Sequence, residues 1–276
     1  MKRKLPLILA VILLIGGLGF ALYPTASQWI NQALAKGSIA EYKNATDSLS
    51  SEEKRTYLDK AEEYNRTVSN VVSDSFSSEA FKVNREYENI LKITDDGQMG
   101  TVDIPCINCH LPIYHGSSEE MLEKGAVHLA TTSFPIGGES THAVISAHTA
   151  LPGKMLFDKL TEVKLGDTFS VTVLGNELTY EVFDIDVVLP EDTDKLRVVK
   201  GEDLITLTTC TPYAINTHRL LVTGKRKLLS EVSTPDEIKN FDTPFNWVLL
   251  AAVLCIPVAS RLFVRRMHKK NEKTID

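Results

Sequence analysis

The chain has 276 residues, with 30 Lys and Arg against 36 Asp and Glu and a formal net charge of −6. An acidic balance is the wrong charge for a nucleic-acid binder. Four cysteines are too few for a disulfide-built scaffold, so a buried core must hold the fold.

In chain order, Met1-Lys2-Arg3-Lys4 precedes an apolar run from Leu5 to Tyr23, long enough as a helix to cross a bilayer core of roughly 30 Å. A charged start before an apolar core also suits a cleavable signal peptide, but no small-x-small site closes the run, and an uncleaved anchor is the favoured reading. A helical lead-in is expected over 24–70. Capping boxes are read at Thr25/Gln28 and Ser50/Glu53, and Trp29, Ile30, Leu34, Ile39 and Tyr42 recur at helical spacing. Residues 71–98 are rich in Ser, Asp and Asn and read as a surface loop or lid. From Gly100 the texture turns to strands: Val102 to Ile104, His110 to Tyr114, Thr141 to Ala147, Phe169 to Leu174, Leu178 to Val188, Leu204 to Thr209 and Arg219 to Val222. Gly175-Asn176 marks a hairpin turn, Ser117 and Glu120 cap a short helix ending at Gly125, and Pro152 to Leu160 reads as another short helix. About eight strands separated by turns predict one closed or nearly closed β-barrel over 99–229. A linker over 230–243 leads to a second apolar span over 244–264 and a basic tail over 265–276.

Basic residues lie on the far side of both spans, so the positive-inside rule puts both termini in the cytoplasm and exports what lies between. That middle segment carries nearly all the acidic residues and is strongly negative.

The chemistry centres on Thr206-Leu207-Thr208-Thr209-Cys210. Pro212 ends that strand, so Cys210 is expected at a rim that substrate can reach. An unpaired thiol in an exported chain favours reactivity over a purely structural role. Arg219 opens the next strand and, with antiparallel pairing, lies across from Cys210 as an undeprotonatable fork of donors. Among the seven histidines, His148 sits where a strand gives way to a turn and is the chosen acid–base partner. His142, six residues earlier, shares its face, and His218 points away from Arg219. His110, His115 and His128 are given structural or surface roles. Cys106 and Cys109 face opposite sides of a strand unless a turn intervenes, and neither a zinc site nor a redox pair is favoured. No cofactor is expected.

These blocks, with Ile145-Ser-Ala-His-Thr-Ala-Leu-Pro152, Leu111-Pro-Ile-Tyr-His-Gly116 and Pro135-Ile-Gly-Gly138, resemble the class C, pilus-assembling sortases over roughly 97–227. The resemblance implies an eight-stranded sortase barrel at the plasma membrane of a Gram-positive-type bacterium. It also implies a cysteine transpeptidase acting on LPxTG-type surface or pilin proteins. On it, Cys210 is the nucleophile, His148 protonates the leaving amine, and Arg219 positions the signal and stabilises the oxyanion, with Thr209 among the substrate-binding residues. A class C lid with an Asp-Pro-aromatic plug is matched by Asp74-Ser75-Phe76, with serine for proline, so Asp74 and Phe76 are candidate lid residues. A housekeeping sortase that attaches proteins to cell-wall precursor, a thiol-disulfide oxidoreductase on Cys106 and Cys109, and a surface adhesion or scaffold module are the rivals.

Overall fold

The computed structural model describes residues 5–68 and 85–227. The second apolar span and both candidate lid residues lie outside them.

The chain begins with α1 (Leu5–Ser48), a single helix of 44 residues that runs through Pro24 without a break. Proline forfeits one backbone bond there, too little to stop a helix with strong formers on both sides. Thr25 is therefore interior and caps nothing, contrary to expectation. The first part of α1 is the one stretch among the described residues long and apolar enough to cross a membrane. Beyond it, several of the apolar residues that recur at helical spacing are exposed: Trp29 is 66% accessible and Leu34 66%. The docked face is instead polar. Ser38 Oγ donates to Gln98 Oε1 at 2.8 Å, and Tyr42 Oη donates to the Met99 carbonyl at 2.6 Å.

Helix α2 (Ser51–Thr67) starts at the expected capping box, with Ser50 and Glu53 satisfying each other's backbone N–H. Its far end is tied to the barrel: Asn65 accepts from the Phe134 N–H at 2.6 Å and donates to the Phe134 carbonyl at 3.1 Å. A short helix, α3 (Arg85–Asn89), precedes the sheet.

Eight strands close into a barrel: β1 (Gln98–Ile104), β2 (Cys109–His115), β3 (Ala126–His128), β4 (Thr141–Ser146), β5 (Thr168–Val173), β6 (Asn176–Val188), β7 (Asp203–Thr211) and β8 (His218–Arg226). Their spatial order is β1-β2-β3-β4-β7-β8-β6-β5, with β5 returning to β1. Closure removes free edges, and alternate residues fill the inside. Val102, Ile113, Ile145, Val171, Tyr180, Leu207 and Val222 are fully buried there. The one helix between strands β2 and β3, α4 (Glu119–Lys124), is capped by Ser118, one residue later than expected.

The β5–β6 turn is made by Leu174 and Gly175, at φ of 53° and 84°, one residue earlier than the Gly-Asn reading. Both central residues of a two-residue turn are left-handed, as the strand twist demands. Leu174 holds that costly conformation while its N–H donates to Tyr42 Oη at 3.0 Å.

Gly224 on β8 shows how tightly the interior is filled. A Cβ there would meet Phe169 Cε1 at 2.5 Å and Tyr180 Cβ at 2.9 Å, against two stacked rings 5.7 Å apart. Gly224→Ala is therefore expected to destabilise the barrel by about 1–3 kcal/mol, read as a lowered midpoint in thermal or urea unfolding. An unchanged midpoint would mean the rings give way freely.

Candidate active site

Strand alternation puts Ala143, Ile145, Ala147, Ile205, Leu207, Leu220 and Val222 inside the barrel. Val144 and Leu221 belong to a separate cluster on the outer face with Leu129 and Leu196. By the same period of two, Thr206, Thr208 and Cys210 of β7 and Arg219 of β8 face outward.

Strands β4 and β7 run parallel, with Ser146 level with Thr208, and the ladder continues through the Ala147 N–H to the Thr208 carbonyl at 3.2 Å. His148 lies two residues past Ser146, just beyond the end of β4, and Cys210 two residues past Thr208 on β7, so the parallel register brings the two toward the same end of the neighbouring strands. On the other side, Cys210 pairs directly with Arg219 across the antiparallel ladder. The end of β4 and strands β7 and β8 thus bring imidazole, thiol and guanidinium to one side of the barrel in a row. Cys210 is 8% accessible. Arg219 Nη1 donates to the carbonyls of Asn216 at 3.3 Å and His218 at 3.2 Å, which holds one edge of the guanidinium toward the β7–β8 loop. His148 Nε2 lies 3.5 Å from Glu119 Oε1 of α4.

His148 begins a loop built by side chain–backbone bonds. Its carbonyl accepts from the Phe157 N–H at 3.0 Å. Asp158 accepts from the N–H of Ala150 at 3.0 Å and of Leu156 at 2.9 Å. Those bonds, with Ala150 and Gly153 at positive φ, replace the short helix expected over 152–160.

Beside the row lies a shallow surface groove lined by Leu129, Val188, Leu196, Thr208, Arg219 and Leu221. The connection between β6 and β7 forms one wall and carries Leu196.

A family model described as the sortase domain matches residues 102–227. Sortase D of Bacillus subtilis is 30% identical over 130 residues, 46% of this chain and 63% of that protein. The match thus spans less than two thirds of that curated relative. Among solved structures, sortase C-1 from Streptococcus pneumoniae is 42% identical with a TM-score of 0.65, covering 70% of this chain and 98% of that one. The pilus-related sortase C of Group B Streptococcus is 39% identical with a TM-score of 0.64, covering 68% and 96%. The chain belongs to the class C sortases.

Several other residues of this sortase differ from the sequence reading. Thr209 is turned inward and buried, and its hydroxyl donates to the Ala147 carbonyl at 2.7 Å, so it fastens the end of β7 to the start of the His148 loop. Cys106 and Cys109 are separated by a turn, with Asn108 left-handed, and both are free thiols. Burial and Asp167 raise the Cys106 thiol to about 11, and burial raises Cys109 further. Such thiols hold little thiolate at neutral pH, which weakens the oxidoreductase reading.

Two histidines are structural, as expected for His128, while the sequence reading assigns no role to His142. His142 is buried on the groove side. Its Nδ1 donates to the Arg197 carbonyl at 2.8 Å, which leaves Nε2 to accept from the Thr206 hydroxyl at 2.7 Å. Thr206 and Thr223 hydroxyls lie 2.9 Å apart, extending the chain to β8. His142 thus pins the groove wall to its floor through partners 55 and 64 residues away, which no local spacing reveals. His128 is fully buried, stacked on Phe134 at 5.1 Å, with its ring bonded to Tyr87 Oη at 2.9 Å and the Ser133 carbonyl at 2.8 Å.

Burial pushes His128 down to about 3, and lowers His142 and His115 as well. These rings stay neutral in the fold while the unfolded chain binds protons near pH 6.5. Below that pH the unfolded state holds more protons, so stability is full above about 6.5 and is lost as pH falls. Asp103 and Asp203, raised by burial, act in the opposite sense nearer the carboxylate range. Urea unfolding at pH 6.5 and 5.5 is expected to show a loss of at least about 1 kcal/mol. Equal stability at the two values would contradict neutral burial.

Proposed function

We propose that this sortase is a membrane-anchored cysteine transpeptidase that cleaves an LPxTG-like sorting signal and joins it to an amine, a pilin lysine above all. The observation that carries the reading is the single outward row of His148, Cys210 and Arg219 beside an apolar groove.

In this mechanism the Leu-Pro part of the signal lies in the groove. The Cys210 thiolate attacks the threonine carbonyl carbon, and the Arg219 guanidinium donates to the oxyanion that forms. The C–N bond to glycine breaks as His148, in its imidazolium form, protonates the departing amine. The thioester waits for the acceptor amine, whose attack forms the amide. The acceptor's proton passes to His148 and the thiolate leaves. A thiol serves well because its ester outlasts encounter with water yet yields readily to an amine. Anchoring through α1, a second span over 244–264 and an external catalytic domain belong to the same reading, supported by the basic residues flanking both apolar runs.

Mass spectrometry of the full-length protein after incubation with a sorting-signal peptide tests this. The expected product is an acyl adduct on Cys210 that a lysine peptide discharges. Peptide cleaved without any adduct on that sulfur would sink the proposal.

A further inference from the structure

The loop that begins at His148 is gripped by the helix that carries the anchor. Asn31 Nδ2 donates to the Gly153 carbonyl at 2.8 Å, and Ser27 Oγ donates to the same oxygen at 3.3 Å. Asn31 Nδ2 also reaches Ser27 Oγ at 3.4 Å, so the two side chains brace each other on one face of α1, a turn apart. Gly153 has φ of +76°, and a Cβ on it would collide with the Ser27 hydroxyl and stand 2.9 Å from Ser27 Cβ. The backbone of the loop therefore touches the helix so closely that only glycine fits.

On its other side the loop is held by α4. Lys154 Nζ donates to the Glu123 carbonyl and pairs with its carboxylate at 3.9 Å. Between these grips, Asp158 and the Phe157 N–H to His148 carbonyl bond make the loop a closed unit. A displacement at Gly153 is passed to the His148 backbone through a segment with little slack.

Asn31 lies eight residues beyond Tyr23, the end of the apolar run, or about 12 Å along the helix. The grip is thus made by the part of α1 nearest the anchor.

We infer that Ser27 and Asn31 are positioning residues for His148, so that the juxtamembrane stretch of α1 is a working part of the catalytic loop and not only a tether. The catalytic half of this inference rests on the transpeptidase reading; the structural half does not. In an enzyme, a misplacement of about 1 Å at a reacting group can cost on the order of 100-fold.

The test uses the full-length protein in detergent micelles or nanodiscs, with Ser27→Ala/Asn31→Ala, and Asn31→Asp as a variant of equal size that cannot donate. Hydrogen exchange at the amides of Ala150, Leu156 and Phe157 is expected to speed up at least ten-fold in both, with strand β7 unchanged. Peptide-joining kcat is expected to fall about ten-fold, with KM for the sorting peptide within two-fold and the unfolding midpoint retained. Ser27→Thr, which keeps a hydroxyl, should restore most of what Ser27→Ala loses. Unchanged exchange at those amides would overturn the brace. Faster exchange with wild-type kcat would overturn its role in positioning His148. A wild-type protein that exchanges as expected yet forms no thioester would leave the brace standing and refute the transpeptidase reading instead.

Discussion

Replacing Cys210 by Ala is expected to abolish peptide joining, a loss of at least about 10⁴-fold in kcat/KM, equivalent to about 5.5 kcal/mol of barrier. The reasoning is chemical before it is structural. Among the described cysteines, Cys210 faces outward beside a guanidinium and at the level of an imidazole, whereas Cys109 is buried with its Sγ toward the Leu156 carbonyl at 3.4 Å. No other thiol in the row can take over. Cys210→Ser probes the same point more sharply. The hydroxyl fits the site, but it ionises far less readily than a thiol and is a poorer leaving group from an acyl enzyme, so a loss of more than about 10³-fold is expected. Neither change should disturb folding: the side chain lies on the outer face and its truncation opens no space in the barrel interior. Thermal midpoints within a few degrees of wild type would establish that the lost activity is chemical. Residual joining above about 1% in Cys210→Ala would move the nucleophile elsewhere.

How much of this was legible in the sequence depends on the range of the contact. The barrel was, because alternation along β5, β6, β7 and β8 is a local signal and closure follows from it. The Cys210–Arg219 pairing was too, since a short loop between strands enforces antiparallel register. The level of His148 was not readable from spacing, because β4 and β7 pair in parallel across more than fifty intervening residues; its place at the strand-to-turn boundary favoured it over His142, and the resemblance agreed. Errors arose where a side chain took over a backbone donor or acceptor. Asp158 captured two N–H groups and replaced a helix over 152–160 with a loop. Tyr42 steadied a leucine in a left-handed turn, shifting the hairpin by one residue. On α1 the apolar spacing predicted the helix, yet the helix docks through Ser27, Asn31, Ser38 and Tyr42, which bond to barrel and loop groups across long sequence separations. Polar docking of that kind leaves no hydrophobic period to read.

Arg219→Ala is expected to lower kcat by about 10²–10³-fold with KM for the sorting peptide changed by less than about three-fold, a cost of about 2.7–4 kcal/mol. The split follows from when the charge is needed. The threonine carbonyl of a bound signal is neutral and asks little of a cation, while the tetrahedral oxyanion places a full charge within reach of the residue opposite Cys210. The groove proposed to hold the peptide is lined mainly by apolar side chains, so binding is expected to survive loss of the guanidinium. Arg219→Lys separates charge from geometry. Nη1 of Arg219 donates to the Asn216 and His218 carbonyls. The guanidinium has five N–H donors and can keep that anchoring while other N–H groups turn to the oxyanion; an ammonium on a flexible stem cannot hold both directions. Lysine should therefore recover no more than about ten-fold of the loss. Wild-type kcat in Arg219→Lys would show that a nearby positive charge suffices, and a rise in KM with kcat intact would show that Arg219 holds the ground-state signal rather than the transition state.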